Sequence, residues 1–220
     1  MIKEFALGLA RRHYFQDATS IHDWMKITDS DVYMSLYDYD DDIKTYFAKN
    51  NTISGYDGKI YIPDEFILDV DGANPEDAKN KAIGLMLRLD DLNCPFKIYF
   101  SGTGFHFHVP EQAFRWVPSE TLHKAVKDKL TETGIFEYAD PSVTDKVRII
   151  RVPNTRNQKS NLFKVEISRS VLEGDLDNIL EYAKKPQAVS ANGFECDPVW
   201  DVLVKEKADK KKVPVISEGR

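Results

Sequence analysis

Two aspartates one residue apart, Asp69 and Asp71, close the apolar run Phe66-Ile-Leu-Asp-Val-Asp-Gly72. In an extended chain alternate side chains share a face, so both carboxylates project together, about 7 Å apart along the strand. Like charges on an apolar strand are costly unless a cation sits between them. Oxygen donors of this kind suit a hard divalent ion such as Mg²⁺. The pair reads as half of a metal site. A calcium loop does not fit, because it needs glycine at the sixth place and Gly72 stands fourth from Asp69. A structural reading, Asp71 capping a turn and Asp69 in a salt bridge, stays open on these residues alone.

A second group is Ser101-Gly-Thr-Gly104-Phe-His106-Phe-His108-Val109. His106 and His108 alternate with apolar residues, so the imidazoles share one face. Glycines there allow a tight turn and close approach of a ligand to the backbone. Histidine in such a place serves as metal ligand, general acid or phosphate donor, or is simply hydrogen-bonded on a half-buried strand. A third group begins at Asp140 and continues into Arg148 and Arg151, with Lys164 beyond. Arginine's planar fork suits bidentate contacts to phosphate, although a surface strand with ion pairs has the same composition.

The elements that position these groups follow from periodicity. Tyr61–Asp71 reads as strand. Asn74-Pro75-Glu76-Asp77 then has an N-cap residue, a first-turn proline and two acids favoured by the helix dipole, with apolar spacing running to about Asp91. Pro95–Phe100 and Phe105–Val109 read as a hairpin about the Ser-Gly-Thr-Gly turn. A second helix opens at Ser119 and stops at Gly134. Val147–Val152 and Leu162–Ile167 read as strands, Leu176–Lys184 as a short helix. Residues 1–60 read as helix and irregular structure, and the tail from about Lys205 as disordered or a linker. The order predicts an α/β (α+β) chain, a mixed sheet with helices packed on it. Its expected organisation is one domain over residues 1–185 and a C-terminal extension over 186–220.

A chain of 220 residues with 42% hydrophobic content supports one ordinary core. No apolar window approaches a membrane span, and the short run Phe5–Ala10 meets Arg11 and Arg12 at once, so no membrane partner and an intracellular (cytoplasmic) location are expected. Two cysteines are too few for a disulfide framework or a Cys-based zinc site. Net charge is −6, which argues weakly against nucleic acid, but its distribution is uneven. Residues 29–42 are acid-rich, whereas residues 146–169 carry Lys146, Arg148, Arg151, Arg156, Lys159, Lys164 and Arg169 against the single acid Glu166. Such a stretch points to a polyanion bound at one place, or to a solvated basic face.

Taken together, a strand ending in Asp-x-Asp, the Gly104-Phe105-His106 pattern and a third acid leading into two arginines resemble the archaeo-eukaryotic primase superfamily. That superfamily includes primase small subunits and the primase-polymerases of plasmids and phages. The resemblance covers about residues 60–168. It favours Asp140 over Asp145 as third acid, because only Asp140 leaves the family's interval before Arg151. It implies an RRM-like catalytic core on a largely antiparallel sheet. It assigns Asp69, Asp71 and Asp140 to two Mg²⁺ or Mn²⁺ ions and to catalysis. Ser101, Gly104, His106, Arg148, Arg151 and Lys164 fall to the bound nucleoside triphosphate. The implied partners are single-stranded DNA template, nucleotides, and a replicative helicase or accessory primase domain in trans.

Two readings from other classes stand beside it. A metal-dependent hydrolase would use His106 and His108 as zinc ligands. A non-catalytic single-strand-binding module would use the basic stretch without binding nucleotide through a metal.

Overall fold

The computed structural model describes residues 1–190 and 196–203. Strands β1 (Ile2–Leu7) and β2 (Arg11–Asp17) form a hairpin turned by Gly8, whose φ of 71° lies in the left-handed region that glycine enters without strain. After helix α1 (Ile21–Ile27) come β3 (Val32–Ser35), β4 (Asp38–Tyr39), helix α2 (Asp42–Asn50) and β5 (Ile60–Tyr61). The expectation of helix and irregular structure over residues 1–60 is thus corrected: most of one sheet lies there. The physical reason is that β1 is central, flanked by β2 on one edge and by β3 and β4 on the other, and buried on both faces. No polar–apolar alternation marks such a strand. Its charged residues Lys3 and Glu4 are buried because each has a partner, Asp38 and Arg12 respectively.

The second half begins with β6 (Glu65–Val70) and α3 (Pro75–Asp91), followed by β7 (Lys97–Phe100) and β8 (Phe105–Pro110). Then follow β9 (Phe114–Arg115), α4 (Leu122–Glu132), β10 (Ile149–Arg151), β11 (Val165–Ile167), α5 (Arg169–Glu173), α6 (Leu176–Tyr182) and β12 (Trp200–Asp201). Helix α3 begins as predicted: the Asn74 side chain accepts from Asp77 N and Pro75 occupies the first turn. Its Leu85, Met86 and Leu89 are buried in the core shared with Phe66, Leu68, Phe105 and Phe107, each side chain contributing about 1.5–3 kcal/mol by leaving water.

Two sheets result, both antiparallel: one built around β10-β3-β1-β4-β5 with β2 added, and one of order β11-β7-β8-β6. The fold is α+β. The largely antiparallel pairing is as expected, while the single sheet is corrected to the two antiparallel ones and a small parallel pair, β9–β12. The RRM-like order also differs. A split βαβ unit places its fourth strand beside its first, whereas here β11 pairs with β7 at the opposite edge. The open edge of β6 is taken by the loop carrying Asp140, whose backbone N–H donates to Asp69 O at 2.8 Å. Strand β10, the other candidate, joins the first sheet through β3. Within the expected extension 186–220, Trp200 is fully buried against Phe114, with ring centroids 4.7 Å apart. The tail from Lys205 lies outside the described residues.

Candidate metal centre

Strand register builds the site. On β8, His106 pairs with Asp69 of β6 and Tyr99 of β7, while His108 pairs with Ile67 and Lys97. Residues directly opposite share a face. One face of this sheet therefore carries Glu65, Asp69, His106, His108, Lys97 and Tyr99; Phe66, Leu68, Phe105 and Phe107 occupy the other, in the core. Asp71 follows just beyond the end of β6. The Ser101–Gly104 turn closes on itself through Ser101 N to Gly104 O at 2.9 Å. A Cβ on Gly104 would lie 2.4 Å from Val70 O and 3.0 Å from Asp71 Oδ1, so only glycine lets the turn sit against the acid.

Asp140 comes from a different region. Its backbone is docked on Asp69, and its Oδ1 accepts from Ser142 N at 2.9 Å, capping the short turn that follows. One oxygen from each of Asp69, Asp71 and Asp140 lies within 4.8 Å of the other two. Arg148 Nη2 stands between two of them, 3.0 Å from Asp69 Oδ2 and 3.4 Å from Asp140 Oδ2.

The electrostatics are those of an under-neutralised cluster. Burial, then Asp69 and Asp140, push the Asp71 carboxyl above its ordinary value. Burial also works against the Asp69 charge, but His106 and Arg148 outweigh it and bring that carboxyl below its ordinary value. Burial, then Lys164, lower His106 to about 4, so its imidazole is neutral at pH 7. The positive charges that act on the cluster are Arg148 and, at Asp71, Lys81, while His106 Nε2 lies 3.4 Å from Asp69 Oδ1. Three carboxylates facing one guanidinium, with oxygen as the only donor, fit a hard divalent cation. Among the described residues this is the one cluster of three such ligands, and it contains no histidine.

Asp69 and Asp71 open into a cavity of about 440 Å³ lined also by Ser101, His106, Arg148 and Arg151; Asp140 does not line it, whereas Asp145 does. Lys164 and Gly104 do not line it. Lys164 is fully buried, donates from Nζ to Arg151 O at 2.9 Å and lies 5.3 Å from the Tyr99 ring centroid; burial lowers it to about 7. Arg151 is pinned: its Nη1 donates to Asp31 and to Arg156 O (3.2 Å), and its Nη2 to Tyr33 Oη at 2.8 Å. His108 belongs to another arrangement, its Nδ1 2.7 Å from Glu65 Oε2 and its ring centroid 4.2 Å from that of Tyr99, tilted by 33°.

Sequence reasoning missed Arg12, Tyr33 and Asn157, which also line the cavity. Arg12 grips Glu4 with Nε and Nη2 at 2.8 and 2.9 Å and reaches Val147 O at 2.9 Å, next to Arg148. No alternation marks β2, whose burial is irregular, so no local signal pointed to Arg12. Comparison of the chain with protein-family models, characterised proteins and solved structures found no match.

Proposed function

We propose that this chain is a template-directed nucleotidyltransferase, a DNA primase or primase-polymerase, that joins nucleotides from triphosphates and releases pyrophosphate. The observation that carries the reading is the meeting of Asp69, Asp71 and Asp140, two of which, Asp69 and Asp71, line one cavity with His106, Arg148 and Arg151. Two bound Mg²⁺ or Mn²⁺ ions would supply activation of the attacking 3′-hydroxyl and neutralisation of the departing pyrophosphate. The chain's own part is positioning and charge. Asp69, Asp71 and Asp140 hold the ions. His106, neutral at pH 7, offers a hydrogen bond to a phosphate oxygen without adding charge. Arg148, Arg151 and Ser101, which line the same cavity, face the triphosphate. Lys164 acts from behind, through the Arg151 carbonyl it holds. Such pre-set donors are most effective where charge develops in phosphoryl transfer.

The cavity lies in the range of small-ligand sites and suits one nucleotide. A single-stranded DNA template is the proposed polymeric partner, with a helicase or accessory domain supplied in trans. The zinc-hydrolase reading is disfavoured by the absence of histidine from the acid cluster and by the engagement of His108 with Glu65. Purified protein given single-stranded template, nucleotides and Mn²⁺ is expected to make short oligonucleotides, and Asp69→Ala none. Absence of product from the wild type, with nucleotide binding indifferent to Asp69→Ala, sinks the proposal.

A further inference from the structure

The two cavity arginines are held in different ways. Arg151 is anchored by groups outside the acid cluster: Asp31, Tyr33 and the Arg156 carbonyl. Arg148 has no such anchor for its guanidinium. Its Nη2 donates to Asp69 and Asp140, and its buried Nε makes no hydrogen bond. Its backbone, by contrast, is fixed, with N–H donating to Asp145 O and C=O accepting from Leu36 N, both at 2.9 Å. The side chain is thus a tether with a fixed root and a head resting on the oxygens that a divalent cation would claim. About a third of that side chain is exposed, toward the same cavity.

We propose that Arg148 is an internal counter-ion that exchanges between two sites. In the metal-free protein it joins Asp69 to Asp140; when divalent ions enter, it leaves the carboxylates and turns to the triphosphate. This rests on the nucleotidyl-transfer reading above. A guanidinium and a hard cation compete for the same carboxylate oxygens, and a buried donor left unpaired in one position gains a partner by moving to phosphate. The consequence is coupling. Metal entry frees a phosphate ligand, and triphosphate binding withdraws a competitor from the metal site, by equal factors as linkage requires.

Lys81 supplies the control, since it also places a positive charge at the cluster, 3.2 Å from Asp71 O, without bridging the acids. Mn²⁺ binding is measured by electron paramagnetic resonance without nucleotide. Arg148→Gln is expected to bind about tenfold more tightly than wild type, whereas Lys81→Gln changes affinity by about twofold, as for an exposed charge. In parallel, side-chain ¹⁵N spectra of the wild type are followed during Mg²⁺ addition, a readout that needs no variant to fold. The Arg148 Nε signal is expected to move while that of Arg151 stays. Equal effects of the two substitutions, or an Arg148 signal unmoved by bound Mg²⁺, overturn the exchange and leave the metal centre intact. If wild type and variants alike bind no Mn²⁺, even with inorganic tripolyphosphate, the metal centre and the exchange fall together.

Discussion

The polar face of the four-stranded sheet carries the same pairing twice, with opposite outcomes. At one end, Glu65 of β6 meets His108 of β8 at 2.7 Å, and Lys97 closes the group at 2.7 Å from Glu65. Burial pushes Glu65 up, but His108 and Lys97 outweigh it and hold the carboxyl below its ordinary value. The charges there balance. At the other end Asp69 faces His106, two more carboxylates converge, and one guanidinium bridges Asp69 and Asp140. Burial, then the two neighbouring acids, holds Asp71 above its ordinary value. A carboxylate facing a histidine across two strands is a structural unit; a surplus of unneutralised acid is what turns one of them into a site.

The largest expected effect breaks this contrast at the open end. Asp71→Asn should lower nucleotide incorporation roughly a thousandfold by removing a metal ligand, yet raise the melting temperature in EDTA by relieving repulsion. Calorimetry beside a primer assay checks both, and a lowered melting temperature would count against the surplus-charge account. Gly104→Ala comes next. Its methyl would meet Val70 O at 2.4 Å, so about 1–3 kcal/mol of stability is lost to overpacking and incorporation falls with the displaced Asp71, as denaturant melts and the same assay would report. At the closed end, Glu65→Gln should cost about 1–2 kcal/mol while Mn²⁺ affinity stays at the wild-type value; weakened Mn²⁺ binding would show that the two ends are not separate.

The smallest effect concerns acid. Burial lowers both imidazoles, His106 to about 4 from 6.5. Between those values the unfolded chain takes up protons that the folded chain refuses, so stability falls as pH drops through that window. His108→Phe, which keeps a ring against Tyr99, should show a shallower fall in melting temperature from pH 6.5 to 4.5; an identical slope would mean that His108 is charged when folded.

The acids of β6 and the shared face of His106 and His108 were legible because alternation is a local property, whereas Glu65 and Lys97 were not singled out. Asn74 and Pro75 likewise announced α3 within one turn of chain. The first sheet was not legible, since β1 buries Lys3 and Glu4 beside partners that lie elsewhere in the sequence. Charge runs misled for the same reason. The basic stretch read as a cradle for a polyanion, but Arg151 and Arg156 are matched by Asp31 and Asp29 of the acid-rich stretch. Part of each run is spent on the other, while Arg148 turns to Asp69 and Asp140 and Arg169 to Asp90. Strand order was hidden too, because nothing near β11 says whether it will pair with β6 or β7.

The docking of Asp140 on the Asp69 carbonyl has a consequence for the chain as it is made. A ribosome releases Asp69 and Asp71 together with their strand, but the third acid and Arg148 emerge only after α4 has left the tunnel. Until then the nascent chain displays two unneutralised acids on the exposed edge of a strand. Synthesis at ordinary rates makes that interval several seconds long. The loop that delivers Asp140 therefore does two things at one stroke: it finishes a binding site and it covers the edge of β6, so maturation of the centre and protection of the young sheet from pairing with a neighbour are one event.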